Sequence, residues 1–250
     1  MDRRYLMAAT LVAVTTWAGP FVREAVAQRN QPVYPAYDGY IKNADGSYTV
    51  AFAYFNHNAE PVTIQPGPDN SFGPAPADRQ QPIPFRTGHQ RFQCVMVLGP
   101  EFDGKLRWTL NYSGTTTGTS ENMLQSNWYL VEGAAELAKI DFAQVPKGVC
   151  LNRPPTVRVL GLGRGRGIPT MSASLKEPLS LFGSVADEGL PRSGKLTSGW
   201  KQLSGPGTVT FAPPAARTRA TFSAPGTYQL ELTATDSEFT SRTTISVDVK

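Results

Sequence analysis

Few side chains in this 250-residue chain are of the types that do acid–base or nucleophilic chemistry, and they are scattered. Nucleophilic catalysis needs a base within reach of the nucleophile, and the only imidazoles are those of His57 and His89. No Gly-x-Ser-x-Gly motif accompanies them, and no spacing singles out a partner for either histidine. We therefore interpret both histidines as surface loop residues.

Paired carboxylates, the groups that hydrolyse glycosides, have to face each other across a cleft. The candidates Asp38, Asp69 and Asp78 lie in predicted turns, where Asp is common because its side chain hydrogen-bonds the local backbone. We therefore expect no enzymatic activity and assign no catalytic residue. A hydrolase is the least favoured alternative.

The glycine-rich run at 161–167 follows a predicted strand, as a phosphate-binding loop would. It lacks a Gly-Lys-Ser/Thr sequence, and Pro169 follows it in place of a helix. We predict a flexible loop, in which Arg164 and Arg166 are the side chains suited to an anionic glycan or lipid. No cofactor-binding residue is assigned.

Residues 1–27 have the order of a secretory signal peptide: arginines, an apolar stretch and an A-x-A cleavage site that ends at Ala27. The mature chain is expected to begin at Gln28. Charges at Arg23 and Glu24 leave a retained signal anchor as the alternative. No other apolar run approaches the roughly 18 residues that span a bilayer. We expect an exported protein, periplasmic, at the cell surface or extracellular, without a membrane span after cleavage.

The charge balance excludes a nucleic-acid partner. Removal of the signal peptide takes away three Arg, one Asp and one Glu, which leaves 21 basic and 18 acidic residues. The basic residues are scattered along the chain and form no polybasic patch of the kind that tracks phosphates.

Two cysteines, Cys94 and Cys150, are the whole complement of the chain. An even count in an exported protein predicts a disulfide, and two separate buried thiols are the alternative. Two cysteines without a neighbouring third and fourth ligand do not make a tetrahedral metal site.

The first folded part is predicted to be a β-sandwich-like domain at 36–130, after a flexible leader at 28–35. Asp45 and Gly46 lie between two strand-like runs and indicate a hairpin. The stretch 58–85 is rich in proline, which cannot serve inside a central ladder. We predict a long irregular loop with short edge strands there.

Alternation of apolar and polar residues predicts two further strands, at 90–98 and 105–112. The period of two places Phe92 and Cys94 on one face of the first of these strands. Alanine and leucine then favour a short helix at 131–142.

A second unit is predicted at 155–250, after a linker at 131–154 that contains this helix. Short strands with turns at spacings of roughly 8 to 15 residues are typical of an antiparallel β-sandwich of the immunoglobulin type. The strands are expected at 156–160, 179–185, 198–203, 208–211, 219–223, 227–235 and 242–249. The predicted fold class is all-β, with two β-sandwich-like domains joined by one short helix.

The second unit contains a specific order of motifs, at 178–191, 199–211 and 220–236. With these motifs it resembles the PKD-type immunoglobulin-like domains of bacterial surface proteins, over residues 155–250. The resemblance implies that Trp200 is the core tryptophan of a central strand and that Tyr228 follows a turn on the penultimate strand. It also implies a role as a spacer or contact domain, which would position the first domain.

The first domain has motifs of its own, at 39–40, 43–50, 52–58 and 67–70. With them it resembles a family of exported bacterial proteins, over about residues 36–130. This resemblance implies no activity.

Acidic residues at two turns of the PKD-like unit are the candidate metal ligands. PKD-like and cadherin-like sandwiches carry acidic pairs at such turns, and hard oxygen ligands suit Ca²⁺. The resemblance implies a calcium site at Asp187, Glu188 and Asp236. This chain departs from the usual doubled Asp, and ordinary solvated turns are the alternative.

Aromatic residues are frequent in the first domain, as sugar-binding modules require when they stack rings on pyranose faces. Tyr48, Phe52 and Tyr54 share one strand face, however, and are interpreted as core. The predicted function is a non-catalytic structural or protein-interaction module of the bacterial cell envelope, whose partner is an envelope protein or a glycan. A carbohydrate-binding module is the alternative, and the loop at 58–85 is the expected location of specificity.

Overall fold

The computed structural model describes residues 30–130, 140–162 and 167–250. The predicted signal peptide, residues 131–139 of the predicted helix and the arginines at 164 and 166 lie outside these ranges. Within them the chain forms β-strands, turns and short 3₁₀ turns, and no helix there is long and apolar enough to cross a membrane. The all-β fold class is confirmed.

The strands follow one another closely along the described chain. In chain order they are β1 Val33–Lys42, β2 Tyr48–Asn56, β3 Val62–Thr63, β4 Asn70–Gly73, β5 Pro84–Phe85, β6 Gly88–Leu98, β7 Arg107–Tyr112, β8 Thr115–Gly118, β9 Thr156–Val159, β10 Thr170–Ala173, β11 Leu179–Ala186, β12 Thr197–Ser204, β13 Val209–Ala212, β14 Arg217–Phe222, β15 Gly226–Thr235 and β16 Thr240–Val249.

The N-terminal unit, residues 30–130 and 140–151, contains small sheets with the orders β1-β2-β6, β4-β7-β8 and β3-β5. Its core is rich in aromatic rings: Phe52 and Phe72 both pack on Trp108, at ring-centroid distances of 6.2 and 5.6 Å. Phe52 and Tyr54 are fully buried, which confirms their interpretation as core. Strand β1 begins at Val33, inside the stretch predicted as a leader, because Val33 is buried in this core.

The proline-rich stretch 58–85 forms the short strands β3, β4 and β5 and is otherwise irregular, as predicted. Two buried amides hold its backbone. Asn70 donates to the carbonyls of Ile64 and Pro82 and accepts from the indole of Trp108 at 2.9 Å. Gln81 donates to the Asn70 carbonyl at 2.8 Å. The amides supply the partners that a proline-rich backbone cannot find in a sheet ladder.

Strand β6 contains a bulge at the residues opposite Ala53. The Asp38 carboxylate of β1 accepts hydrogen bonds from the Phe92 amide and the Arg91 guanidinium at this bulge. Two residue steps of β2 match four of β6 here, and Phe92, one of the bulged residues, has a left-handed backbone with φ +52°, which turns its side chain to the other face. The prediction that Phe92 and Cys94 share a face was therefore wrong: Phe92 packs with Val95 on the opposite side from Cys94.

A disulfide joins Cys94 in β6 to Cys150, with the Cα atoms 4.7 Å apart, and confirms the predicted pairing. The segment before Cys150 lies along β6, where Val97 donates to the Pro146 carbonyl and Gly148 donates to the Val97 carbonyl. Leu151 in turn donates to the Val95 carbonyl at 2.8 Å. The disulfide therefore fastens a segment that β6 already binds.

The C-terminal sandwich, residues 156–250, has two four-stranded sheets with the orders β13-β14-β11-β9 and β10-β16-β15-β12. The strand order, with β10 parallel to β16 and the other pairs antiparallel, is that of an immunoglobulin-type sandwich. Trp200 lies in its core, as the resemblance implies, and donates to the Ala216 carbonyl at 2.8 Å. Tyr228 is fully buried and donates to the Ala224 carbonyl.

Candidate functional site

Two strands of opposite sheets deliver the predicted acidic residues to one end of the C-terminal sandwich. Asp187 directly follows β11, and Asp236 directly follows β15. The turn after Asp187 returns to the second acid, since Gly194 packs against the Asp236 carbonyl. Tertiary structure thus brings two acids that are 49 positions apart in the sequence to the same end of the sandwich, where the charge of Asp236 raises the pKa of Asp187.

Each of the two aspartates uses one carboxylate oxygen for its own turn. Asp187 Oδ1 accepts from the Gly189 amide at 2.7 Å, and Asp236 Oδ1 accepts from the amides of Glu238 and Phe239 at 2.7 and 2.6 Å. These bonds close Asx-type turns. The Oδ2 atoms of both residues are buried without a hydrogen-bond partner among the described residues. The side chains belong to residues that are only 8% and 2% exposed.

The surroundings of Asp187 and Glu188 favour the protonated, neutral form of these acids, or a cation that compensates their charge. Burial raises the pKa of Asp187, and the neighbouring Asp236 charge raises that pKa further. Burial likewise raises the pKa of Glu188 to about 7, although Arg153 opposes the shift. Glu188 accepts from the Arg153 amide at 2.6 Å and lies 3.7 Å from its guanidinium. An unpaired buried carboxylate is costly, so a positive partner would stabilise the pair of aspartates.

The predicted calcium ligands are therefore only partly brought together. Glu188 is engaged by Arg153, and the described residues contain no cluster of three His, Cys, Asp or Glu side chains placed to hold a metal ion. Asp187 and Asp236 alone would have to be supplemented by backbone carbonyls and water, because Ca²⁺ takes 6–8 oxygen ligands. The calcium site stays a prediction.

A cavity of about 360 Å³ lies beside these acids, between the N-terminal unit and the C-terminal sandwich. Arg86 and Arg91 line it from the first, Asp187 and Glu188 from the second, and Arg153 from the segment between them. Sequence reasoning missed these arginines. No spacing could have indicated them, since three separate elements supply them.

The turn that carries Asp187 also docks the two units. We name residues 187–192 the docking loop. Leu190 of this loop is buried in the aromatic core of the N-terminal unit, and Gly189, at φ +85°, lies so close to Pro84 that a Cβ would clash. Arg192 forms a 2.6 Å ion pair with Asp78 and donates to the Gln81 carbonyl. One short loop therefore combines the candidate cation site with the interface.

The other candidate residues lie elsewhere. His57 and His89 are exposed, as predicted, but His89 belongs to β6, and both rings pack on Phe55 at 4.2 and 5.8 Å. Tyr34 meets His57 at an interplanar angle of 90°, so the exposed rings at this surface do not share one plane. Asp38 caps the β6 bulge, Asp69 accepts from Asn111, and Asp78 pairs with Arg192.

No protein-family model matches the chain. Among solved structures, it is similar to Drosophila N-cadherin EC1-3, at 10% sequence identity and a TM-score of 0.30 over 89% of this chain and 90% of that one. It is also similar to Drosophila N-cadherin EC1-4, at 11% identity and a TM-score of 0.28 over 83% and 59%. At TM-scores this low, neither similarity defines the fold or the function of this chain. The immunoglobulin-type assignment rests on strand order, and the resemblances to PKD domains and to an exported family stay predictions.

Proposed function

We propose that this chain is a non-catalytic, exported interaction module of the bacterial cell envelope, in which a PKD-like sandwich holds the N-terminal unit in position. The docking loop is the observation that carries this proposal. Leu190 is buried in the core of the other unit, and Arg192 adds an ion pair and a backbone hydrogen bond. Contacts of this kind hold the N-terminal unit in a fixed position on the C-terminal sandwich, where it can contact a partner.

The disulfide supports export. Disulfides persist in oxidising compartments and are rare in the cytosol. Cys94 and Cys150 are the only cysteines, and their bond anchors the segment that leads into the C-terminal sandwich. An oxidising compartment would therefore be needed for the chain to keep this connection.

The export test uses the full chain, expressed with a C-terminal tag in a Gram-negative host and followed by fractionation and intact mass measurement. We expect recovery outside the cytoplasm, an N-terminus at Gln28 and no free thiol. A cytoplasmic product that retains residues 1–27 with both thiols reduced would contradict the proposal. A product that retains these residues in the membrane would support the signal anchor instead.

The interaction test measures sedimentation of the mature protein with purified cell-wall sacculi and with outer-membrane vesicles. We expect saturable association with one of these fractions. Assays with generic glycosidase, esterase and protease substrates accompany it, together with His57→Ala and His89→Ala. Turnover that either substitution abolishes would overturn the non-catalytic assignment.

A calcium ion at the docking loop is a second part of the proposal, favoured by the buried, unpartnered Oδ2 atoms of Asp187 and Asp236. Calorimetric titration should give a Kd of about 10⁻⁴ to 10⁻³ M, the range of extracellular modules. Asp236→Asn should abolish the heat of binding, whereas Asp103→Asn, at an exposed acid, should not. Equal heats from wild type and Asp236→Asn would refute the site.

A further inference from the structure

The outer surface of the sheet β13-β14-β11-β9 has an unusual composition. Arg158 of β9, Arg217 and Arg219 of β14 and Phe182 of β11 all point to solvent, and we name these four residues the arginine face. Their neighbours along each strand are more buried, as the period of two requires. Phe182 is 53% exposed although β11 is an interior strand of the sheet.

The strand register groups the arginines around the phenyl ring. Arg217 is the direct cross-strand partner of Phe182, and Arg219 is opposite Ser180, the next outward residue of β11. On the other side, Arg158 is opposite Ser184. Direct partners on one face lie about 5 Å apart and diagonal ones about 7–8 Å apart. One arginine therefore lies directly across from the exposed Phe182 and two lie on its diagonals, while on the β9 side the exposed Leu160 donates its amide to the Phe182 carbonyl.

The charge of this face is not compensated. The outward positions of β9, β11, β13 and β14 contain no Asp or Glu. Among the described residues, none of the three arginines takes part in an ion pair or a side-chain hydrogen bond. Like charges this close are unfavourable in the free protein, which a bound anion would relieve.

The other outer face of the same sandwich shows the usual arrangement. There Glu231 of β15 pairs with Lys201 of β12 at 2.9 Å and with Arg242 of β16 at 3.9 Å. Asp248 of β16 accepts from Thr227. Cations and anions alternate on that face, so the excess of arginine is specific to one side of the domain.

We propose that the arginine face binds an anionic polysaccharide, one that carries carboxylate or sulfate groups on its sugar rings. Guanidinium groups bind such anions with two parallel hydrogen bonds. The apolar side of a pyranose ring stacks on an aromatic ring such as Phe182. Hydroxyl side chains at further outward positions of the sheet, Ser180, Thr210 and Thr221, are suited to sugar hydroxyls.

The shape and composition of the surface favour a polysaccharide over a protein. Protein interfaces are enriched in Arg, but they also have an apolar core to which several aromatic residues and Met contribute. The arginine face has three arginines but a single ring, with Leu160, among the residues described, as the one large exposed apolar side chain beside it. An extended, flexible anionic chain matches an open sheet surface of this kind because each sugar unit makes its own contacts. This inference deepens the proposed function and rests on it.

The test measures binding of the mature wild-type protein to immobilised alginate, a polyuronate, to heparin, which is sulfated, and to neutral dextran, at 50 and 200 mM salt. We expect binding to an anionic chain that weakens with salt, and none to dextran. Arg217→Ser with Arg219→Ser should weaken binding up to roughly tenfold, since an exposed charge pair contributes up to about fivefold. Phe182→Ala should weaken it about threefold or more.

The matched control is Lys176→Ser with Lys195→Ser, which removes the same charge from two exposed positions outside the face. It should change the affinity less than twofold. An equal loss in the control would show general electrostatic attraction and overturn the proposal. Binding to vesicles of anionic phospholipid but to neither polysaccharide would also overturn it, as would no binding to either.

All variants are checked for an unchanged unfolding midpoint, so that loss of binding is separated from loss of the fold. The proposed function is tested independently through export and envelope association of the wild type. Suppose that the wild type binds neither alginate nor heparin and that the double arginine variant associates with envelopes as strongly as the wild type. Polysaccharide binding by the arginine face is then refuted, and the proposed interaction module stands. If wild type associates with no envelope fraction, the proposed function itself fails.

Discussion

The N-terminal unit and the C-terminal sandwich bury their cores by different means. The sandwich is regular: its strands alternate buried and exposed residues, and two four-stranded sheets supply most backbone partners. The N-terminal unit has small sheets and a proline-rich stretch, and it relies on buried amides and a disulfide. The comparison teaches that an irregular backbone needs side chains and a covalent bond to supply what ladders supply elsewhere.

Removal of the disulfide should lower the free energy of unfolding more than any other change described below, and it should do so in the N-terminal unit alone. A bond that closes a loop over a sequence separation of 56 contributes about 4 kcal/mol in the chain-entropy model. We expect Cys94→Ala with Cys150→Ala to lower the free energy of unfolding of the N-terminal unit by about this amount. Hydrogen exchange should report it as faster exchange in β2 and β6, with β15 and β16 nearly unchanged. Equally faster exchange in all four strands would contradict the claim that the disulfide stabilises only the N-terminal unit.

Removal of a side-chain amide should also destabilise the N-terminal unit more than the C-terminal sandwich. Asn70→Ala leaves two backbone carbonyls and the Trp108 indole without partners, and each unsatisfied group costs about 1–3 kcal/mol. We expect a loss of about 3 kcal/mol in urea unfolding. The matched variant is Gln202→Ala in the sandwich, whose amide bridges Gly207 and Val209 at a half-buried position. It should lose about 1 kcal/mol, and a larger loss than in Asn70→Ala would contradict our explanation.

The docking loop should show a smaller, pH-dependent effect. The hydrogen bond from Arg192 lowers the pKa of Asp78 below its ordinary value of 3.8. Because the pKa of Asp78 is lower in the folded state, the ion pair stabilises the fold at pH values above the ordinary pKa. This stabilisation is lost as the pH falls through the lower pKa of the folded state. Because Asp78 is more than half exposed, Arg192→Met should cost about 1 kcal/mol or less at pH 7.

The measurement is the free energy of unfolding of wild type and Arg192→Met between pH 2 and 7. The difference between the two proteins should shrink towards low pH. A difference that is independent of pH would mean that the hydrogen bond to the Gln81 carbonyl, and not the ion pair, accounts for the contact.

The arginine face should show the smallest effect on stability. Arg217→Ser with Arg219→Ser removes repulsion without removing a described contact, so the free energy of unfolding should change by less than about 0.5 kcal/mol or rise slightly. Glu231→Gln on the opposite face, which breaks two ion pairs, should be slightly destabilising. Thermal unfolding at low salt measures both. A clear destabilisation by the arginine variant would show that this face is structural.

Much of the fold was accessible from the sequence because it depends on local periodicity. Alternation along β14 and β15, the Asp45-Gly46 hairpin and the effect of proline on residues 58–85 are all short-range signals. The disulfide could be predicted because only one pairing exists. Phe92 was placed on the wrong face because its bulge is closed by Asp38, a residue 54 positions away.

The candidate site could be predicted only as types of residue. The sequence indicated Asp187, Glu188 and Asp236, but not that Glu188 would pair with Arg153 or that Leu190 would enter the other core. The alternation Arg217-Thr218-Arg219 was a visible signal for two arginines on one face. Their grouping around Phe182 required the strand register.

By itself, the sequence determined the all-β class, the immunoglobulin-type strand pattern and the cysteine pair, since these follow from spacing and residue type. The places of Trp200 and Tyr228 were implied by the resemblance to PKD-type domains, and both side chains lie in the core of the sandwich. Only the tertiary structure decided which charges are paired, which are buried and which stay uncompensated. The physical reason is range: a strand pattern is set by neighbours two residues apart, whereas the energy of a charge depends on every group that the fold brings within several ångströms.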